Sequence, residues 1–464
     1  MTETQPTDGV AGPVRDVVPF GEAVRAWFVI SLQTFGGPAG QIAVMQRHLV
    51  DEHRWIGQRR FLHALNYCML LPGPEAQQLA IYTGWLLNGL RGGLVAGVLF
   101  VLPGMVALLV LSAVYVGFGD TSVVAAVFAG LAPAVVAIVT QAVTRLSRRA
   151  LSHPTLITLA VAAFVALAVF GVPFPVVIAI AAVAGWLLAR RWPGLVDAWE
   201  REGDGEDGPA PLIADDALHD EPPSGRRTAK ILAVGLLLWA APVAAFAIAT
   251  GPHSVFTTQG LFFSGTALVT FGGAYAVLAF VAQQAVQTYG WLSANDMIRG
   301  LALAETTPGP LIMVVQFVAF LGAYHDPGPF DPWVAGVVAS LLVTWVTFVP
   351  CFLFIFLGAP SIERLRGNRA LTAALTGITA AVVGVIANLA VYFAVHTLFS
   401  DTRRITTGPL DFELPDISSI RPTAVALLAV ACVLVFRLRW SVLRVLGTCA
   451  AFGLAAGLVG MPVA

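Results

Sequence analysis

Apolar runs of about 20 residues recur along this chain, each long enough to cross a hydrocarbon core about 30 Å thick as a helix. Of the 464 residues, 57% are hydrophobic and only 11% are charged, whereas a soluble domain keeps roughly a quarter of its residues charged. Only helices or closed barrels satisfy their backbone in lipid, and continuous rather than alternating apolar runs favour helices. The sequence therefore predicts an all-α polytopic membrane protein.

Polar stretches divide the chain into regions. Residues 1–20 indicate a disordered tail, and the stretch 192–230, rich in Asp, Glu, Pro and Gly, indicates an acidic cytoplasmic linker too polar for lipid or a core. The remaining regions are a first membrane repeat (21–191), a connecting transmembrane helix (231–250) and a second membrane repeat (251–464). The net charge of −1 indicates no nucleic-acid partner. The four cysteines lie in apolar segments without metal-ligand spacing, so we expect no metal and no cofactor.

The two membrane repeats share motifs at one offset. The first contains Thr-Phe-Gly-Gly from Thr34, and the second contains the same four residues from Thr270, 236 positions later. At this offset, without a gap, Trp55 matches Trp291, and the Pro-Gly-Pro motif at 72–74 matches the one at 308–310. An ancestral duplication follows from this match.

The apolar runs and their breakers predict thirteen hydrophobic segments. Six lie in the first half, near 26–46, 61–90, 93–117, 122–144, 153–170 and 173–190. One connecting segment, 231–250, precedes six more, near 258–287, 297–324, 334–358, 370–398, 422–437 and 441–461. One odd segment between two equal halves inverts the second half relative to the first.

Arginine placement supports the inverted arrangement. Basic loops near 145–149, 189–192, 224–230, 363–369 and 437–444 all fall on one side of the count, which is cytoplasmic by the positive-inside rule. The loop 47–60 carries four arginines, whereas its counterpart in 282–299 carries one. Loop 47–60 is cytoplasmic only if segments 26–46 and 61–90 are re-entrant hairpins, broken at Phe-Gly-Gly and Pro-Gly-Pro. We prefer this version to full spans.

The four breaks are the candidate substrate site. Inverted repeats with interrupted helices are typical of secondary transporters that bind substrate near the midplane, and a helix that begins inside the membrane presents free N–H groups and a positive dipole end to an anion. Kinks or close helix packing are the alternative explanation for each Gly or Pro. The predicted substrate-binding residues are the breaks and the polar side chains beside them: Thr34, Gly36, Gly37, Pro72, Gly73, Pro74, Gln77, Gln78, Thr270, Gly272, Gly273, Thr306, Thr307, Pro308, Gly309 and Pro310.

Two acids lie beside the Pro-Gly-Pro motifs. Glu75 follows the first motif and Glu305 precedes the second, and an ionisable group inside a membrane span is a functional candidate by default. We predict that Glu75 and Glu305 carry protons. An interfacial position or a local hydrogen bond is the alternative. Arg91 and Arg299 are predicted to attract an anion at a cavity mouth, with topological anchoring as the alternative.

The motifs resemble those of the chromate ion transporter family, in its long two-domain bacterial form. The matching elements are FGGP at 35–38, LPGP at 71–74 with Gln78 and Gly84, and TPGP at 307–310, and the similarity covers both halves. The resemblance implies a multi-pass protein of the bacterial inner membrane that exports chromate using the proton motive force, with sulfate as a close mimic. The second half departs from the pattern with FGGA, and Glu75 follows LPGP where small polar residues are common in the family.

Three other functions remain as alternatives. They are a carrier of sulfate or another oxyanion, a passive anion channel, and a membrane-embedded lipid enzyme. The enzyme would need an interfacial His/Asp cluster or a metal-binding set, which we do not find, so we predict no enzymatic activity. The expected partners are the oxyanion, protons and membrane lipid. The sequence does not determine the oligomeric state, and a homodimer stays an option.

Overall fold

A computed structural model describes residues 17–119, 121–191, 212–213, 224–271, 273–358, 369–408 and 410–459. Most of the predicted tail and linker, Gly272, and most of the basic loop 363–369 lie outside these residues. The expectations for those segments stay predictions.

The first half forms seven helices in the described part of the chain. Their bounds are α1 Phe20–Gln33, α2 Gly37–Gln46, α3 Gln58–Cys68, α4 Glu75–Phe118, α5 Ser122–Ala150, α6 Pro154–Ala168 and α7 Phe174–Arg191. Helix α2 continues into a π-helical turn, Arg47–Glu52. Asn88 and Gly89 leave helical geometry inside α4, so α4 consists of a first part (75–87) and a second part (90–118).

The connecting helix α8, Gly225–Thr250, begins before the predicted 231 because Arg226, Arg227 and Lys230 already belong to its first turns. The second half then forms α9 Val255–Val269, α10 Ala274–Gln283, α11 Ala294–Thr306, α12 Val314–His325, α13 Pro332–Gly358, α14 Arg369–Leu398, α15 Pro422–Cys432 and α16 Val442–Leu458. A π-helical turn, Gln284–Thr288, follows α10, and a short 3₁₀ helix, Leu311–Met313, precedes α12.

Six described helices are long and apolar enough to cross a membrane, and several shorter apolar helices accompany them. The chain is an all-α polytopic membrane protein, as predicted. Segments 26–46, 61–90, 258–287 and 297–324 each divide at their Gly or Pro break into two helices. One further element was not predicted from the sequence, an antiparallel hairpin of β1 (Thr402–Thr407) and β2 (Leu410–Pro415) between α14 and α15.

The helices repeat with the motifs. At the 236-residue offset, α1, α2 and α3 correspond to α9, α10 and α11, and both π-helical turns fall at matching positions. The first part of α4 corresponds to 311–325, and the second part to α13. The local structure thus follows the duplication, including the turns that the sequence analysis did not predict.

The first 70 described residues return to the end of the bundle where they begin. The backbone N–H of Val17 donates to the carbonyl of Leu87, and the Asn88 amide donates to the carbonyl of Val18. The start of α1 therefore lies beside the end of the first part of α4. At the tip between α2 and α3, the carbonyl of Arg54 accepts from the N–H of linker residue Leu212 over 2.8 Å. A Cβ at Gly93, near the start of the second part of α4, would meet Phe356 in α13, and one at Gly235, near the start of α8, would meet Leu353 in α13. The start of α1 and the tip between α2 and α3 therefore both lie at the end where α8 begins, as the hairpin version predicts.

We call the end of the bundle that holds Arg191, Gly225 and loop 47–60 the linker end, and the opposite end the hairpin end. At the hairpin end, the N–H of Asp411 in β2 donates to the carbonyl of Val169 between α6 and α7. Helix α8 leaves the linker end and its 26 residues span about 39 Å at 1.5 Å per residue. Helix α9 therefore starts at the hairpin end, whereas α1 starts at the linker end. The two repeats are inverted.

Helices of the first half pack against helices of the second half at pairs of glycines. Helix α7 packs against α14 where Gly185 meets Gly377, and α16 packs against α5 where Gly130 meets Gly453. Each contact brings the backbones together so closely that a Cβ at either glycine would collide with the facing helix. Small residues allow such approach in membrane bundles. The core is therefore shared between the halves.

Candidate functional site

The two halves meet at their breaks through two equivalent backbone hydrogen bonds. The N–H of Gly73, in the first Pro-Gly-Pro motif, donates to the carbonyl of Thr270, and the N–H of Gly309 donates to the carbonyl of Thr34, each over 2.8 Å. At the 236-residue offset, Gly73 corresponds to Gly309 and Thr34 corresponds to Thr270, so the two bonds are equivalent. The breaks of both halves therefore meet at one centre, related by an approximate two-fold axis.

The breaks provide backbone with room beside it. Gly36, Gly37 and Gly273 all adopt positive φ angles, which glycine reaches at little cost. Among the described residues, a Cβ added at Gly36 or Gly37 would meet no atom within 4 Å, and one at Gly273 would approach only Glu75 Oε1, at 3.9 Å. Space for a ligand thus adjoins both Gly-Gly breaks, although Gly272 itself lies outside the described residues.

Four helical segments start at this centre without a side-chain cap. They begin at Gly37 (α2), Glu75 (α4), Ala274 (α10) and Leu311, and no side chain accepts from their first N–H groups in the described structure. Thr121, Ser254 and Ser293 cap α5, α9 and α11, which start far from the centre, but α1, α3, α8, α15 and α16 also start away from the centre without a side-chain cap. Uncapped first-turn N–H groups need an acceptor, and an oxyanion is a suitable one.

Both predicted acids lie at the centre. Glu305 is 2% exposed, its Oε1 accepts a 2.5 Å hydrogen bond from the hydroxyl of Tyr275, and its Oε2 has no partner among the described residues. Glu75 is partly exposed and lies beside Gly273, at the start of α10. Each acid therefore adjoins the region where the uncapped helix starts meet.

The four predicted threonines end helices at the centre. In each, the hydroxyl donates to a carbonyl of its own helix: Thr34 to Ser31, Thr270 to Thr266, Thr306 to Leu303 and Thr307 to Ala304. A hydroxyl has one hydrogen to donate, so in this conformation each threonine offers only lone pairs to a ligand. Their predicted role in binding an anion stays a prediction.

The predicted glutamines differ in their contacts. The Gln78 amide donates to the carbonyl of Pro72 over 2.7 Å and so supports the first break. Gln77 is fully buried, and neither of its amide atoms has a partner in the described part of the chain. An unpaired buried amide costs about 1–3 kcal/mol, so Gln77 is a group that a ligand or water would satisfy.

Arg91 and Arg299 lie at opposite ends of the bundle. Arg91 is exposed beside the Asn88-Gly89 interruption at the linker end. Arg299, in α11, donates to the hydroxyl of Tyr115 and lies over the rings of Tyr115 and Phe128. The structure thus does not bring the two arginines together at one mouth, and their predicted attraction of an anion stays a prediction.

Other residues at the centre were missed. The Gln41 amide donates to the carbonyl of Gly309 over 2.5 Å and links α2 to the second Pro-Gly-Pro motif. Arg145 and Arg149, at the linker end of α5, lie outside the centre, and their positive charge is near enough to favour the ionised forms of Glu305 and Glu75. Gln41 could have been found, because it is a polar side chain just after a Gly-Gly motif. The two arginines were interpreted only as markers of topology.

Comparison with known proteins agrees with these features. The chromate transporter family matches residues 21–186 and 257–454. A chromate transport protein of Pseudomonas aeruginosa is 32% identical over 388 residues, which cover 82% of each chain. One of Cupriavidus metallidurans is 28% identical over 401 residues, which cover 86% of this chain and 89% of the relative.

A probable chromate transport protein of Synechococcus elongatus is 25% identical over 364 residues. No solved structure matches the chain. The family match covers both repeats and leaves out the linker and α8, as the inverted architecture leads one to expect. With two membrane-embedded halves meeting at interrupted helices, and with this match across both of them, the chain belongs to the chromate transporter family.

Proposed function

We propose that this chain is a secondary transporter that exports chromate from the cytoplasm and couples its movement to protons. The names of the relatives give the substrate, and sulfate, a tetrahedral dianion of similar size, is the natural competitor. The observation that carries the proposal is the pair of equivalent hydrogen bonds that joins Gly73 to Thr270 and Gly309 to Thr34. They hold the breaks of both halves at one centre, where inverted-repeat carriers bind substrate.

The uncapped starts of α2 and α10 bind the anion in this proposal. First-turn N–H groups together with the helix dipole favour negative charge, and the glycine breaks leave space for oxygen atoms to approach the backbone. Arg145 and Arg149 add positive charge from the linker end. An anion entering from the cytoplasm would thus move toward increasingly favourable contacts.

Glu305 couples the anion to protons in this proposal. Two unit charges about 4 Å apart repel by about 4 kcal/mol at an effective dielectric near 20, and a dianion doubles the effect. A proton on the unpartnered Oε2 of Glu305 removes this repulsion while Oε1 keeps its hydrogen bond from Tyr275. The anion would therefore bind together with a proton and leave when Glu305 loses it. The dianion and the proton together carry one net negative charge, which a membrane potential negative on the cytoplasmic side drives outward.

Reconstitution in proteoliposomes tests the proposal. We expect uptake of chromate against its gradient when a pH gradient is imposed, with competition by sulfate. Glu305→Gln should keep chromate counterflow and lose accumulation driven by the pH gradient. Glu22→Gln, at the exposed start of α1, is the matched control and should behave as the parent chain.

Two results would contradict the proposal. Flux that only equilibrates the anion would identify a passive channel. Normal proton-driven accumulation by Glu305→Gln would remove Glu305 from coupling and make Glu75 the carboxyl group to change next.

A further inference from the structure

The π-helical turn after α2 brings two histidines together at the linker end. Because the turn widens the helix by one residue, the N–H of His53 donates to the carbonyl of His48 over 3.0 Å. The same turn occurs in the second half, where the N–H of Tyr289 donates to the carbonyl of Gln284. The turn therefore belongs to the repeat, whereas its histidines belong to the first half alone.

Three potential metal ligands converge on this turn. One ligand atom from each of His48, Glu52 and His53 lies within 4.8 Å of the other two, and this is the one such group found among the described residues. His48 Nδ1 lies 2.7 Å from Glu52 Oε2. The His53 ring packs edge-on against Trp55 at 4.5 Å between centroids, which fixes its direction.

Gln33, the last residue of α1, determines which nitrogen of His48 is available. Its Oε1 accepts a hydrogen bond from Arg47 over 2.6 Å and lies 3.3 Å from His48 Nε2. An amide oxygen can only accept, so Nε2 carries a hydrogen and, in the neutral ring, Nδ1 carries a lone pair. That lone pair faces a carboxylate oxygen, and two acceptors this close need a cation or a proton between them. A hydrogen bond from the second ring nitrogen is the usual support of a metal-bound histidine.

We propose that His48, Glu52 and His53 bind one divalent transition-metal cation at the linker end of the first re-entrant hairpin. Two imidazoles and a carboxylate suit Zn²⁺ or Ni²⁺, whereas Mg²⁺ and Ca²⁺ prefer oxygen ligands alone. Water would complete the coordination. Arg47 Nε, 3.6 Å from Glu52 Oε1, opposes the added charge, so the affinity should be moderate.

The ion would connect the two arms of the hairpin. His48 follows α2 directly, and Gln33 ends α1. An ion held by His48 and supported through Gln33 would therefore fix the end of α1 relative to the tip beyond α2. Both arms end at the Gly36-Gly37 break, so the ion would restrict any movement that changes the angle between them.

Titration with Zn²⁺ tests the proposal. Purified full-length protein in detergent should bind one equivalent, measured by calorimetry, and Zn²⁺ should raise its Tm. Gln33→Ala should weaken binding by roughly 10- to 100-fold, the usual cost of losing a supporting contact, and His48→Ala or His53→Ala by more. His253→Ala, at an exposed histidine of the other end, is the matched control and should keep the affinity.

Three outcomes would overturn the proposal. If the folded parent protein shows no saturable Zn²⁺ binding, His48 and Glu52 form an ordinary ion pair. Binding that survives both His48→Ala and His53→Ala places the ion elsewhere. Should either alanine variant fail to fold, Glu52→Gln decides, because a Zn²⁺-induced rise in Tm that this variant retains in full also rejects the site.

Discussion

Glu305 and Tyr275 form one unit although 30 positions separate them. Glu305 could be predicted because a carboxyl group in an apolar segment is costly unless it has a function. Tyr275 could not, because a tyrosine in a membrane helix is ordinary until its partner is known. Whether its hydroxyl reaches Glu305 depends on where α10 begins and α11 ends, which the fold decides.

Changing Tyr275 to Phe tests this unit. The substitution removes the hydroxyl that donates to Glu305 and leaves both carboxyl oxygens without a hydrogen bond from a described residue. A hydrogen bond to a charged group contributes about 1.5–3 kcal/mol. We therefore expect chromate uptake driven by a pH gradient to slow about tenfold or more, since 1.4 kcal/mol corresponds to about one factor of ten.

Tyr289→Phe is the matched control for this change. Tyr289 lies in the same half, after the π-helical turn that follows α10, and it stacks on Trp291 with 4.4 Å between ring centroids, a contact that Phe keeps. The control should transport at the parent rate. Equal rates for Tyr275→Phe and Tyr289→Phe would show that the hydroxyl of Tyr275 has no part in transport.

The helices end where the sequence predicts an end wherever glycine and proline interrupt an apolar run. The four breaks were predictable because proline removes a helical hydrogen bond and glycine readily leaves helical geometry. Most segment ends agree with the structure within a few residues. The β1–β2 hairpin was not predictable, because its strands TRRITT and LDFELP are short and charged, the first mostly exposed and the second mostly half-buried. Nothing in such a stretch distinguishes a strand from a loop until its backbone pairs.

The contact between α5 and α16 gives a stability prediction. Alanine is a better helix former than glycine by about 1 kcal/mol, so Gly→Ala should stabilise an unobstructed helix. At Gly453, however, a Cβ would collide with the carbonyl oxygen of Ala126 and lie 2.6 Å from the backbone nitrogen of Gly130. We expect Gly453→Ala to lower the free energy of unfolding by roughly 1–3 kcal/mol, as overpacking does.

Gly447 in the same helix provides the control. A Cβ there meets no atom of a described residue within 4 Å, so Gly447→Ala should leave the Tm unchanged or raise it. Thermal unfolding in detergent compares the two variants. A Gly453→Ala protein as stable as Gly447→Ala would mean that α5 and α16 do not pack as described.

The β1–β2 hairpin should lose stability in acid. Arg404 donates two 2.7 Å hydrogen bonds to Asp411 on the facing strand, and this contact lowers the pKa of Asp411 below its usual value. A group with a lowered pKa in the folded state stabilises that state above its unfolded pKa, about 3.9, and loses this contribution as the pH falls through the folded value. Both side chains are well exposed, so the effect should stay below about 1 kcal/mol.

Hydrogen exchange over residues 402–415, corrected for intrinsic rates, measures this contribution. Arg404→Gln should reduce protection at pH 6 and have less effect near pH 3. Arg403→Gln changes the neighbouring side chain, which points to the other face of the strand, and should change protection at neither pH. Protection by Arg404 that persists unchanged at pH 3 would contradict the assignment.

For the whole molecule, the duplication and the arginine distribution were enough to predict inversion. Which helices pack together across the two halves was not predictable, because α7 and α14, like α5 and α16, are distant in sequence. Only the close backbone contacts at the paired glycines reveal them. The two-fold relation between the central hydrogen bonds could not be predicted either, because matching motifs show which residues are equivalent but not which residues are in contact.

Inversion makes a prediction about the accessibility of the two hairpin tips. Arg54 marks the tip between α2 and α3, beside the linker, and Asn295 lies at the start of α11, at the opposite end. Both side chains are exposed, while Cys68, Cys351 and Cys449 are buried and Cys432 is partly buried. The unmodified chain therefore gives a low background for labelling in intact cells.

A membrane-impermeant maleimide should label Asn295→Cys from outside and Arg54→Cys only after lysis. Ser224→Cys and Thr406→Cys mark the linker end and the hairpin end as controls. Arg54→Cys and Asn295→Cys labelled from the same side would refute the inverted arrangement, whichever side that is.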